Sequence, residues 1–411
     1  MSDRPLKAPD GVISRRHFLY IAGGTVAVTA GASVLAACGA SGTPAPTAAP
    51  TAAATAAASA AAECPVRTPS TAAIGGPLNM FTWAGYEGMG VPEMEQWYKD
   101  NKIELNVKAI SNEDPIAFFK SPAGQEWDAG SENQGNCNYG YENGVMDAVS
   151  VEEVPALGKM YPFFKESPLF KICDGVYNSV PWTTGPLAIN TRPEKVPADA
   201  LESYEGLFDA KWKGRIATFD DALNMISIGA VATGKDPGKL TRDELNGPVR
   251  DWLKRLMPQL KVAAASIGDQ VNLLVSGDID INLVGLTWNV KQAKDQGVTI
   301  DLRTPKEGAY GFIDCVRILP WAKNRQNAIA YANAVMEGET AVALQNSLAQ
   351  LGTVDSVNQA VSKDTRDLFP EDLATYFGET LKWNVSYYDP NGPYAPFEEW
   401  QKTWADVKAG V

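Results

Sequence analysis

One histidine occurs in the 411 residues, His17, and it stands in the amino-terminal leader. The rest of the chain therefore cannot assemble a Ser-His-Asp or Cys-His catalytic set, nor a zinc site that depends on imidazole. A Walker phosphate loop, a GxSxG elbow, an HExxH helix and a CxxC pair are also missing. Any enzyme reading is left with carboxylate, lysine, tyrosine or isolated cysteine chemistry. Positive charge is scarce: 36 Lys and Arg stand against 49 Asp and Glu, a formal charge of −13. The first 37 residues hold four basic and two acidic side chains, so the remainder sits near −15. That balance disfavours nucleic acid as a partner and favours cationic ligands, whose local concentration a negative surface raises. What is abundant is core material. Apolar residues make up 45% of the chain, with 11 Trp, 14 Tyr and 13 Phe, enough for two lobes or one large domain.

The leader indicates a compartment. Arg15-Arg16 precedes a mildly apolar stretch from Tyr20 to Ala37 that Gly23, Gly24 and Gly31 interrupt. This resembles a twin-arginine export signal. Leu35-Ala36-Ala37-Cys38 reads as a lipobox, with the Cys38 thiol expected to accept the lipid. A membrane-spanning anchor is the competing reading, but a stretch this short and rich in glycine is a marginal span. The expected organisation is a signal peptide over 1–37 and a lipidated, disordered Ala/Thr/Pro linker over 38–75, whose small residues offer no face to bury. The body is then expected outside the cytoplasm, in the periplasm or on the outer face of the cell membrane, anchored through Cys38. Cys64, Cys137, Cys173 and Cys315 remain, and four cysteines allow three complete pairings. Free buried thiols are the alternative; if one pair forms, Cys137 with Cys173 is the expectation.

From Pro77 the chain alternates strands and amphipathic helices. Leu78 to Thr82 reads as a strand, Pro92 to Lys102 as a helix and Lys102 to Ile110 as a second strand. Later, Val249, Trp252, Leu253, Leu256 and Leu260 follow helical spacing, Asp278 to Val284 alternates, and Asn327 to Glu337 and Thr340 to Leu351 read as helices. Phe397, Trp400, Trp404 and Val407 form an aromatic stripe expected in the core. The rhythm predicts an α/β fold with mostly parallel sheets flanked by helices.

Several segments, in order, resemble the solute-binding proteins of bacterial polyamine (spermidine/putrescine) ABC importers. They are Met80-Phe81-Thr82-Trp83-Ala84-Gly85-Tyr86, Trp127-Asp128, Val180-Pro181-Trp182, Trp212-Lys213-Gly214-Arg215-Ile216, Asp220-Asp221-Ala222, Leu256-Met257-Pro258, Pro305-Lys306-Glu307-Gly308, Asp314, Ala322-Lys323-Asn324 and Trp383-Asn384. Each fragment is weak alone; their order is what carries the resemblance. It implies a two-lobed periplasmic-binding-protein-like fold with a ligand cleft between lobes, one lobe at 76–186 plus 314–358 and the other at 187–313 plus 359–411. It also implies a monomer that delivers its solute to a membrane permease and needs no cofactor or metal.

A polyamine site must give each desolvated ammonium a carboxylate or several oxygen acceptors, and aromatic faces add about 0.5 to 2 kcal/mol of cation–π attraction each. Carried over by resemblance, Asp314 and Asp221 are the amine-binding carboxylates and Trp83 is the aromatic wall of the first lobe. Phe312 stands where the family has Trp, Asn384 where a Gln caps an amine, and Asn133 where a small hydroxyl residue lies on the ligand loop. The departures are Asn224 in place of a second carboxylate and Gly285 in place of a Trp, with Trp288 near enough to supply that wall and Thr353 near a family Tyr. Two carboxylates fit a diamine such as putrescine better than a triamine. Another organic amine, an aminophosphonate or a metal ion bound by the same fold is the alternative; an exported carboxylate-based enzyme is the reading from another class.

Overall fold

The computed structural model describes residues 64–109 and 115–411. The expected signal peptide, the expected lipidation site Cys38 and the linker as far as residue 63 lie outside the described residues.

The first half is built on the expected β-α-β unit: strand Gly76–Thr82, helix Pro92–Asp100 and strand Ile103–Ala109. The helix begins at Pro92, whose fixed φ suits a first turn. Glu93 and Glu95 sit at its positive end and Lys99 at its negative end, while Met94 and Tyr98, four residues apart, bury one stripe. The helix carries the chain back so that the strands pair in parallel, from Gly76 opposite Ile103 to Thr82 opposite Ala109. Strand Ala129–Asn133 adds in parallel on the other edge. The second half repeats the scheme with strands Ile216–Phe219, Leu260–Ala264 and Ile281–Gly285, again paired in parallel. Helices Ala222–Ala232, Ile267–Ser276 and Thr287–Asp295 follow these strands in turn.

Two long strands join the halves. Val180–Thr191 pairs antiparallel with Ala309–Ile318 and, further on, with Ile281–Gly285. Each changes core along its length. Val180 and Trp182 pack in the first hydrophobic cluster, Leu187 and Ile189 in the second; Tyr310 and Phe312 pack in the second, Ile313, Cys315 and Val316 in the first. Two cores spanned by shared strands make the two-lobed α/β architecture.

Three expectations change. Residues 64–75, placed in the linker by composition, are tied to the first lobe: Cys64 forms a disulfide with Cys173, Arg67 pairs with Asp147, and Gly75 N donates to Asn327 Oδ1 at 3.0 Å. The disulfide therefore joins Cys64, not Cys137, to Cys173, while Cys137 and Cys315 are free and buried. Finally, Phe369, Leu373, Tyr376, Phe377 and Leu381 belong to the first core, whereas Ala395, Trp400, Trp404 and Val407 belong to the second. On this packing we divide the lobes after Trp383 rather than at 359, because the apolar face of 369–381 has its partners in the first lobe. Among the described residues, no helix is long and apolar enough to cross a membrane.

Candidate functional site

A cleft of about 740 Å³ opens where the crossing strands meet the ends of the parallel strands. Of the eight residues the sequence nominates, it brings together Trp83, Asn133, Asp221, Asn224, Phe312 and Asp314. Among the described residues, no lysine or arginine lines it.

Asp314 sits at the floor. Its neighbour in the sheet register is Asn133, and the Asn133 amide donates to Asp314 Oδ1 at 3.3 Å. On the other oxygen, Tyr86 Oη donates to Oδ2 at 2.5 Å. Both bonds favour the carboxylate, yet only 7% of the residue is exposed, and burial prevails, pushing its pKa up to about 7. Burial first, then the Asp314 charge, pushes the Tyr86 phenol far above its usual value, so it stays a donor. Just behind, Glu132 and Arg317 form a buried ion pair that satisfies its own charges within the sheet. The carboxylate at 314 thus faces the cleft with hydrogen bonds but with no lysine or arginine among the described lining side chains, an arrangement able to accept a cation.

Aromatic rings frame it. Trp83 and Tyr86 meet edge to face with centroids 5.6 Å apart, and Tyr86 meets Trp182 likewise at 5.1 Å. Phe312, two residues before Asp314 on the same strand, shares the cleft face as strand alternation requires. Across the cleft, Asp221 caps helix Ala222–Ala232: its Oδ1 accepts from the backbone N–H and side-chain amide of Asn224, each at 2.9 Å. Its neighbour Asp220 also lines the cleft but is engaged by Trp404 Nε1 at 2.8 Å and Lys408 Nζ at 2.5 Å. Of these two adjacent acids, Asp221 holds the inward cap and Asp220 is neutralised.

Two nominated residues stand elsewhere. Asn384 is fully buried; its Oδ1 accepts from Gln134 Nε2 at 2.5 Å and from Tyr310 Oη at 3.0 Å, so it meets the cleft through Tyr310. Gly135 makes room for it, since a Cβ there would come within 2.8 Å of Asn384 Nδ2. Trp288 is half-buried and does not line the cleft. Leu286, the extended residue just before helix Thr287–Asp295, does, whereas Trp288 lies inside that helix. A tryptophan cannot replace Gly285, because even a Cβ would lie 2.4 Å from the backbone nitrogen of Asn190. Phe219, Leu223, Ile267 and Phe397 supply the apolar surface on that side instead. Thr353 is buried and donates to Pro181 O at 2.7 Å, whereas Gln350, three residues earlier, lines the cleft. Sequence reasoning missed Tyr86, Tyr310, Gln350 and Phe397. Tyr86 was within reach, three residues after Trp83 in the same fragment; Phe397 was hidden by its place on a stripe that is otherwise core. Among the described residues, no cluster of three or more His, Cys, Asp or Glu side chains could hold a metal ion.

The family model for bacterial extracellular solute-binding proteins matches residues 95–371. The spermidine/putrescine-binding periplasmic protein 1 of Haemophilus influenzae is 24% identical over 339 residues, covering 80% of this chain and 89% of its own. The spermidine/putrescine-binding periplasmic protein of Escherichia coli is 22% identical over 340 residues, covering 81% and 92%. Among solved structures, a putative spermidine/putrescine ABC transporter protein from Listeria monocytogenes superposes with a TM-score of 0.67 at 15% identity, over 82% of this chain and 99% of that one.

Proposed function

The chain belongs to the bacterial extracellular solute-binding proteins, and on that premise we propose that it is the capture subunit of an ABC importer for a polyamine. In this reading the open cleft admits the amine, the lobes close over it, and the closed form is presented to a membrane permease without chemical change to the solute. Closure draws on an open-closed equilibrium that the ligand shifts by its differential affinity. Export through the twin-arginine signal, lipid attachment at Cys38 and action as a monomer belong to the same reading.

The observation that carries it is Asp314: a buried carboxylate, oriented by Tyr86 and Asn133, in a cleft whose described lining holds no cationic side chain. An ammonium placed there restores the solvation the carboxylate lost, with Trp83 and Phe312 beside it for the methylenes. The second ammonium of a linear diamine is assigned to the Asp221 side. Since Asp220 is already matched by Lys408, the charge count favours putrescine over a triamine. The lack of lysine and arginine among the described lining residues also argues against an aminophosphonate, whose anionic group needs a cation.

Isothermal titration of putrescine and spermidine into the purified protein tests this. Both should bind with release of heat, and Asp314→Asn should weaken putrescine by about a hundredfold or more, because truncating one side of a buried charge pair strands the other. Unchanged affinity in the variant, or no response to any amine in a thermal-shift screen, rejects the assignment.

A further inference from the structure

Two cysteines distant in sequence meet behind the cleft. Cys137 begins helix Cys137–Glu142, four residues after Asn133, and Cys315 follows Asp314 on strand Ala309–Ile318. Their Sγ atoms lie 3.7 Å apart and both residues are fully buried. Each sulfur otherwise reaches a backbone carbonyl, Cys137 that of Asn133 at 3.6 Å and Cys315 that of Ile313 at 4.0 Å. Closing to a disulfide requires the sulfurs to approach from this separation to about 2.05 Å. The chain already carries one disulfide, Cys64–Cys173, at a separate place in the first lobe.

We propose that Cys137 and Cys315 are a second dithiol, one that a disulfide-bearing oxidant converts to a cross-link tying the Asn133 loop to the Asp314 strand. The thiolate of one cysteine attacks the donor RS–SR, forming a mixed disulfide and expelling one RS⁻, which leaves as RSH. The other protein thiolate attacks the protein sulfur of that mixed disulfide, the second RSH leaves, and the protein S–S bond is made. Two electrons pass from the protein dithiol to the donor, and two protons end on the two RSH molecules. Burial, with the neighbouring Cys137, holds the Cys315 thiol well above its ordinary pKa. Exchange therefore takes place while the segment is open or before the lobe has folded, and the native fold then shields the product from reductants.

The cross-link has a consequence at the cleft. It closes a covalent loop through residues adjacent to Asn133 and Asp314, whose side chains share a hydrogen bond. Holding them in register before ligand arrives lowers the ordering cost of binding, so the oxidised protein should bind amine more tightly by about threefold. This second part rests on the amine reading proposed above; the cross-link itself does not.

The test uses the full chain refolded in oxidised glutathione, then denatured, alkylated and peptide-mapped. The expected result is a peptide pair joined through Cys137 and Cys315 beside the Cys64–Cys173 pair. Recovery of both residues in alkylated form, with Cys64–Cys173 intact, overturns the proposal. Putrescine titration then compares the oxidised protein with Cys315→Ala treated identically. Equal Kd values refute the effect on affinity while the mapped link stands. Failure of both proteins to bind any amine refutes the amine reading, and the affinity claim with it, whereas the cross-link stands or falls on the peptide map alone.

Discussion

Asp314 is pulled in opposite directions, by burial toward the neutral acid and by Tyr86 and Asn133 toward the anion. Burial prevails, and the carboxyl is held near 7 against its usual 3.8. Between those values the folded protein binds a proton that the unfolded chain has released. Stability from this group is therefore full below about pH 4 and is lost as pH rises through about 7, a difference on the order of 4 kcal/mol at most. Without ligand, the melting temperature of the parent protein should fall over that range relative to Asp314→Asn, as thermal denaturation across pH will read. A bound ammonium reverses the preference, since it needs the anion. Amine affinity should rise about tenfold from pH 6 to pH 8 and then level off, while Asp314→Asn should bind weakly with a flat profile. A parent profile without a step near 7 would contradict the role given to this carboxylate.

At the scale of elements, Asp221 caps helix Ala222–Ala232, and in the proposed reading it also presents charge to the cleft. Asp221→Ala removes both and should cost about 1 kcal/mol of stability as well as affinity. Asp221→Ser keeps a capping oxygen, so denaturant melts should find its stability near that of the parent while titration still finds amine affinity reduced. Equal affinity in Asp221→Ser and the parent would leave the residue as a cap alone. The elements show how far sequence reading reaches. The first β-α-β unit was legible because Pro92, the Met94 and Tyr98 stripe and the alternation of Ile103, Leu105 and Val107 are local signals. The placement of Trp83, Phe312 and Asp314 followed from ordered resemblance. Trp288, Asn384 and the second-lobe wall were not legible, because each depends on a contact between distant segments: Gly285 against Asn190, Gly135 against Asn384, Phe397 against the cleft. The disulfide partner of Cys64 was hidden for the same reason, as 109 residues of chain separate it from Cys173.

At the scale of the molecule, the two cores are joined by strands that each serve both, so rotation about the crossing positions can close the cleft without unpacking either core. Ligand present at a hundred times its Kd should raise global stability by about 2.7 kcal/mol, provided the unfolded chain does not bind it. Small-angle scattering should register a more compact particle with putrescine than without; identical curves, in a protein shown to bind, would argue against hinge closure. The Cys64–Cys173 bond adds a mechanical asymmetry to this picture. With the anchorage proposed at Cys38, tension along the chain would reach the body first at Cys64, where the bond to Cys173 hands it to the first lobe and leaves the second free to swing.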